Sequence, residues 1–419
     1  MNLYFSGIGG IGISALAQYC QTQGHSISGS EISETSITKH LKNLRININT
    51  NQESVNITKE IDLFIYTEAV SPNNPERMKA SELNIPQKSY FEYLGEITKT
   101  KRTIAVAGTH GKTTTVGMIA CGLKEAGFDA TVFIGSTLPE FNNSNFHAGT
   151  NDWLIVEACE YRNNFQYLQP EIIVLTNVEW DHPDHYKSEE EYLQSMENFV
   201  LKAEKIITHP QVGISIPSGK LVQTNKTEIP TLSVSGEHNR DNAKLALTLA
   251  QELSMITEEA FLLTAFKIGL SNFAGTARRQ EYLGAKKGLH FYDDYGHHPT
   301  EITVTLQAIR EKHPNSKIGL IFEPHQFSRT RQFFDEFINA FSHADILGLY
   351  AIYAARDTAE DLEAVSRKTL LKSISGNPRA IDTRDSVLKM MNEMETGDVI
   401  IFMGAGKISQ FARDTLSSL

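Results

Sequence analysis

The chain has 419 residues, of which 40% are hydrophobic and 21% charged, and its formal net charge is −11. This length predicts about three domains, and the composition is that of a soluble globular protein. The acidic balance argues against nucleic acid or an anionic membrane as main partner, because both need a basic face; small anions remain open to local N–H clusters. The three cysteines, Cys20, Cys121 and Cys159, are scattered and lack C-x-x-C spacing, which predicts no disulfide framework and no zinc site and fits a reducing cytoplasm. The opening MNLYFSGIGG has no basic region and predicts no signal peptide. No apolar run approaches the ~18 residues of a membrane span. The sequons at Asn56, Asn142 and Asn225 are then expected to be irrelevant.

In chain order, residues 3–6 predict a strand, 13–23 a helix, 26–29 a strand and 63–67 another buried strand. Between the first strand and helix stands GIGGIG, residues 7–12, a G-x-G-x-x-G turn. Glu31 follows the next strand, where such folds place a ribose-binding acid. The turn predicts a nucleotide diphosphate on a helix N-terminus; packing of helix on strand is the alternative. Residues 98–102 predict a linker.

The second segment opens with the apolar run 104–107, then GTHGKTTT, residues 108–115, then a helix over 114–126. A glycine-rich turn between strand and helix, ending in Gly-Lys-Thr, is a phosphate cradle: backbone N–H groups hold the oxygens, Lys112 adds a cation and Thr113 can ligate Mg²⁺. It predicts ATP or GTP binding. The usual motif has a glycine where this chain has Val106. As a loop residue, Lys112 is expected to be exposed and to add little to stability. Residues 153–157 and 172–176 predict strands buried on both faces. The first ends in EACE, whose Glu157 is placed to hold Mg²⁺. The second runs into NVEWDHPDHY, where His182 is a ligand of a second Mg²⁺ or a substrate-orienting donor. Helices are expected over 189–203 and 240–253.

The third segment, from about Glu281, predicts strands at 290–292, 318–322, 346–350 and 399–403 with helices between. DDYGHHPTE, residues 293–301, follows the first, and EPHQFSRTR, residues 323–331, the second. Arg329 and Arg331 can clamp a carboxylate or phosphate. Arg278 and Arg279 precede this segment, placed to reach transferring phosphate. The whole reads as an α/β protein of parallel βαβ units.

GTHGKTTT, EACE, NVEWDHPDHY, GEHNRDN, FAGTARR and DDYGHHPTE, in this order and with GIGGIGIS and SPNNPE upstream, resemble the Mur ligases of bacterial cell-wall synthesis. The resemblance covers essentially the whole chain and is greatest to the branch that adds L-alanine. It implies three domains: a Rossmann-like UDP-sugar domain over 1–98, a central P-loop parallel-sheet ATPase domain over 99–280, and a Rossmann-like amino-acid domain over 281–419. It implies ATP-dependent joining of L-alanine to UDP-N-acetylmuramate through an acyl phosphate, with Mg²⁺, in a cytoplasmic monomer or homodimer. Lys112, Glu157 and His182 would be catalytic. Gly108, Thr109, His110, Gly111, Lys112, Thr113 and Thr114 would hold the phosphates, Asn239 and Asn242 would lie near the adenine, and Arg279 and Asp294 would contact the nucleotide. Thr113, Glu157 and His182 would serve the metal. Gly9, Gly10, Gly12 and Ser14 would line the UDP-sugar site, and Tyr295, His297 and Arg329 would receive L-alanine. The chain departs from the family at Asn49-Thr50, where Gly-His is frequent, at Gln280, where an aromatic is usual, and at Gln326, where arginine is common. Its stretch from His185 to Glu237 is also short.

Overall fold

Continuous apolar runs make the centres of three sheets. The computed structural model describes residues 1–224, 228–257 and 263–419; Asn225, of the third sequon, lies outside them. The first sheet contains β1 (Asn2–Ser6), β2 (Ser26–Ser30), β3 (Asn47–Asn49), β4 (Leu63–Tyr66) and β5 (Gln87–Ser89), in the order β3-β2-β1-β4-β5. All its pairs are parallel. The order reverses direction at β1, so the switch point lies at the carboxyl ends of β1 and β4, where doubly wound folds bind ligands.

The second sheet contains β6 (Arg102–Ala107), β7 (Thr131–Leu138), β8 (Ser144–His147), β9 (Trp153–Glu157), β10 (Ile172–Leu175), β11 (Lys205–Thr208) and β12 (Leu221–Gln223), in the order β12-β11-β10-β6-β9-β7-β8. Ile104, Ala105, Val106, Leu154, Ile155, Val156, Ile173, Val174 and Leu175 are all fully buried, as strands covered on both faces require. The third contains β13 (Glu281–Lys286), β14 (Leu289–Asp294), β15 (Ile318–Phe322), β16 (Ile346–Leu349), β17 (Arg379–Ala380) and β18 (Val399–Met403), in the order β13-β14-β18-β15-β16-β17. This is a three-domain α/β architecture. By packing, Met1–Val178, Gln194–Pro230 and Lys244–Asn272 form one compact unit, and Glu179–Leu193, Thr231–Ala243 and Phe273–Leu419 another.

Two pairs depart from the all-parallel expectation. β7 pairs β8 antiparallel and β13 pairs β14 antiparallel. Connection length decides both: residues 139–143 are too few for the crossover a parallel return needs. Lys287 and Gly288, with φ of 50° and 81°, form a two-residue hairpin turn between β13 and β14. The predicted linker is also shorter, because the helix Tyr90–Thr98 runs into it and β6 starts at Arg102. The helix Lys112–Glu125 is clamped by the helix Leu263–Asn272 at two glycines: a Cβ on Gly122 would meet Phe266 at 2.5 Å, and one on Gly269 would meet the Cys121 carbonyl oxygen at 2.5 Å. No helix of the described residues is long and apolar enough to cross a membrane.

Candidate active site

The loop after β6 is held from the next strand. Asn177, just past β10, accepts the Thr109 N–H on its carbonyl at 3.1 Å and the His110 N–H on its side chain at 2.9 Å, and its amide donates to the His110 carbonyl at 3.1 Å. The Thr176 hydroxyl donates to that carbonyl at 2.6 Å. Gly108 and Gly111 take φ of 126° and 81°, a region side chains disfavour. Val106 is a buried residue inside β6, so the turn is compact and has no place for the usual upstream glycine.

Lys112 lies on the first turn of the helix Lys112–Glu125. Its ammonium donates to the carbonyls of Gly108 at 2.6 Å and Thr109 at 3.0 Å, and to the Glu160 carboxylate at 2.8 Å. The expected exposed lysine is in fact largely buried: its side chain is 16% exposed and that of Glu160 4%. Burial works to lower the Lys112 pKa, and the Glu160 carboxylate overcomes this and raises it, so the ammonium stays charged. The Thr113 hydroxyl donates to Glu157 Oε2 at 3.1 Å, and the Gly135 N–H donates to Oε1 at 2.6 Å. A hydroxyl and an oriented carboxylate at one loop mouth are hard oxygen donors, which suit Mg²⁺. Thr114 follows on the same helix.

The glycine turn of the first sheet carries its own acid. Glu31 Oε2 accepts the Gly9 N–H at 3.0 Å and Oε1 the Ile32 N–H at 2.9 Å. Gly9 and Gly10 are half-buried, and Gly10 starts the helix Ile11–Thr22 without a side-chain cap. Gly12 makes room for the Tyr90 ring, which would lie 2.9 Å from an added Cβ. Ser14 turns inward: it is fully buried, and its hydroxyl bonds to the Ile11 carbonyl and the Asn145 amide at 3.0 and 2.9 Å.

In the C-terminal unit, the segment after Val178 brings Asp181 onto Arg329. Two bonds of 2.9 and 3.2 Å join them, and the residues are 4% and 1% exposed. Burial would raise the Asp181 pKa, but Arg329 and the neighbouring histidines hold it well below the usual range. The motif NVEWDHPDHY does not by itself mark Asp181; a buried arginine far along the chain is what reveals it. Arg329, expected to receive L-alanine, spends Nε and Nη2 on Asp181 and directs Nη1 to His325. Its guanidinium therefore meets any incoming carboxylate with few N–H groups to spare. His182 stands at φ 58°, with its N–H on Asp181 Oδ1 at 2.6 Å.

Half of GHHPTE is a helix start. His298 caps the helix Pro299–Lys312, Pro299 is its first residue, and Glu301 returns a bond to the cap. His297 stands above it beside Tyr295, ring centroids 5.5 Å apart, and 5.7 Å from His325. Burial pushes His297 down to about 4; burial, with His297 and Arg329 nearby, pushes His325 down to about 3. Asp294 receives the Gln280 and Gly296 N–H groups at 2.9 and 2.7 Å; burial lifts its pKa to about 6 against the pull of Arg279. Arg278 and Arg279 lie 4.8 and 5.2 Å from the centre of the Tyr295 ring. Asn239 and Asn242 are buried on the helix Glu237–Ile256, and the Asn239 amide donates to the Ser235 carbonyl at 2.7 Å. Gln326 is buried at φ 72°, its amide nitrogen on the Ala355 carbonyl at 3.0 Å.

Residues 2–102 match the model described as Mur ligase family, catalytic domain; 106–209 match the Mur ligase middle domain; and 278–406 match the Mur ligase, glutamate ligase domain. The chain is 36% identical to a UDP-N-acetylmuramate–L-alanine ligase of Clostridium kluyveri, over 97% of this chain and 96% of that one. It is 34% identical to one of Lachnospira eligens, over 99% and 98%. Among solved structures it is similar to the UDP-N-acetylmuramate-alanine ligase of Thermotoga maritima, with TM-score 0.82 and 26% identity over 100% and 99% of the two chains. A murein peptide ligase of Psychrobacter arcticus shares the fold at TM-score 0.73 and 21% identity, over 100% and 98%. The chain belongs to the Mur ligase family.

Proposed function

We propose that this ligase joins L-alanine to UDP-N-acetylmuramate at the expense of ATP, in the cytoplasm, as a step of peptidoglycan precursor synthesis. Residues 1–98 take the UDP-sugar, 99–280 the ATP and 281–419 the amino acid. One observation carries the reading. The Thr113 hydroxyl and Glu157 carboxylate meet 3.1 Å apart at the mouth of a glycine-rich loop, in a chain collinear over 97% of its length with an L-alanine-adding ligase.

An amine cannot convert a carboxylate to an amide directly, because oxide would have to leave. The lactyl carboxylate oxygen therefore attacks the γ-phosphorus, and the bond to the bridging oxygen breaks, releasing ADP. The alanine nitrogen then attacks the carbonyl carbon and sheds its proton as the carbon–oxygen bond to phosphate breaks. The protein's work is positioning and charge stabilisation. The N–H groups of residues 108–114 and the Lys112 ammonium meet the phosphates, with Lys112 moving off its own loop carbonyls. Thr113 and Glu157 would hold Mg²⁺, with His182 serving a second ion; bound Mg²⁺ would neutralise developing charge on the phosphates. Asn239 and Asn242 face the base, and Arg279 and Asp294 the nucleotide. Gly9, Gly10 and Gly12 line the sugar nucleotide, with Ser14 supporting them from below. Tyr295, His297 and Arg329 receive the amino acid. His297 and His325, neutral at pH 7, do not repel its ammonium.

The test is a panel of amino acids with ATP, Mg²⁺ and UDP-N-acetylmuramate, following phosphate release and product mass. L-alanine is expected to give both. No phosphate with any amino acid would overturn the ligase reading, and product with glycine or serine but not alanine would reassign the substrate.

A further inference from the structure

Glu76 has no part in the chemistry above, yet it is the most heavily bonded buried acid of the first domain. It sits on the first turn of the helix Pro75–Glu82 and is 0% exposed. Its Oε1 accepts the Tyr4 hydroxyl at 2.6 Å and the Asn56 amide at 2.8 Å; its Oε2 accepts the Ser6 and Ser30 hydroxyls at 2.6 and 2.7 Å. All four donors are neutral, and together they fill the lone pairs a carboxylate offers. Burying a charge is costly unless hydrogen bonds hold it, and here a complete set does.

The positions of those donors give the carboxylate a purpose. Ser6 ends β1 and is followed by Gly7, the first residue of the glycine turn. Ser30 ends β2 and is followed by Glu31, which bonds the Gly9 N–H. The Ser30 carbonyl also accepts the Gly7 and Ile8 N–H groups, each at 3.0 Å. We infer that Glu76 is a positioning residue for the nucleotide-sugar. By tying the carboxyl ends of β1 and β2 together, it fixes the backbone of the glycine turn, whose Gly9 and Gly10 N–H groups rest on Glu31 and the Gly7 carbonyl at 3.0 and 3.1 Å and turn to the diphosphate when it binds. This rests on the reading that the glycine turn receives the UDP-sugar.

Calorimetric binding of UDP-N-acetylmuramate and of Mg²⁺–ATP tests it on the full chain. Glu76→Met strands three buried hydroxyl donors, those of Tyr4, Ser6 and Ser30. It is expected to weaken UDP-N-acetylmuramate about tenfold or more, as misplacement of a binding group by a fraction of an ångström does, while ATP binding stays within about twofold. Glu76→Gln keeps one acceptor oxygen and lets the serine hydroxyls turn to accept, so it should restore most of the loss. If Glu76→Met fails to fold, the double variant Ser6→Ala/Ser30→Ala, with Glu76 retained, should show the same selective weakening. Wild-type affinity for UDP-N-acetylmuramate in the Met or double-serine variant, or equal weakening of both ligands, would overturn the inference. A wild type that binds the sugar nucleotide but forms no product sinks the ligase reading alone, because the Glu76 comparison is read in affinity.

Discussion

Lys112 and Glu160 lie 2.8 Å apart with side chains 16% and 4% exposed, so removing the cation does more than remove a catalytic group. Lys112→Ala is expected to abolish turnover and also to destabilise the chain by about 3 kcal/mol, the low end for a buried pair deprived of one partner. Lys112→Ala/Glu160→Gln should recover much of that stability in urea unfolding and none of the turnover. A single variant that unfolds like the wild type would show the pair to be solvated. Glu31 on Gly9 repeats the pattern, with an internal acid on an N–H group of the glycine turn. At this scale the loop, Glu157 and His182 stand out in the sequence as candidates, because strand, turn and helix are local patterns. It did not name Asn177, Glu160, Asp181 or Glu76 as partners. Which distant side chain meets a loop is fixed by strand neighbours, and strand order is not written in any one segment.

Among elements, the carboxyl ends of parallel strands carry the candidate chemistry: residues 7–12 after β1, 108–115 after β6, Glu157 on β9 and Asp294 on β14. Gly108 is a tight joint against the backbone of the next strand's loop. At φ 126°, its added Cβ would fall 2.2 Å from the Thr176 hydroxyl oxygen and 2.7 Å from the Asn177 carbonyl oxygen. Gly108→Ala is therefore expected to lose ATP affinity by about a hundredfold, since the loop must move to admit the methyl group. Circular dichroism should stay near native, and unchanged calorimetric affinity would contradict the loop assignment. The central strands β9, β15 and β18 were legible to the residue, as unbroken β-branched or apolar runs. The rim was not: β3, β5, β12 and β17 are two or three residues long and partly polar, too short to show a period. DDYGHHPTE was legible as a motif, but its half-share as a helix cap emerges only when the helix Pro299–Lys312 is seen to begin there.

For the whole molecule, the C-terminal unit should be the acid-sensitive part. His238, His297 and His325 are held down to about 4, 4 and 3, chiefly by burial. A histidine whose folded pKa lies below its unfolded value of about 6.5 contributes stability above that pH and loses it as pH falls through the folded value. Asp294, lifted to about 6, acts in the opposite sense, contributing only at low pH. Burial also lowers His313 and raises Asp293 and Glu323, so four histidines oppose three carboxyls, and stability should fall between about pH 6.5 and 4. Urea midpoints at pH 7 and pH 5 check this, and a higher midpoint at pH 5 would contradict it. The central claim is that the γ-phosphoryl group passes to a substrate carboxylate and not to water. UDP-N-acetylmuramate labelled with ¹⁸O in both carboxylate oxygens, incubated with the enzyme, ATP, Mg²⁺ and L-alanine, tests this by mass spectrometry of the products. The account predicts one labelled oxygen in the released phosphate and the other in the new amide; phosphate free of label would contradict it.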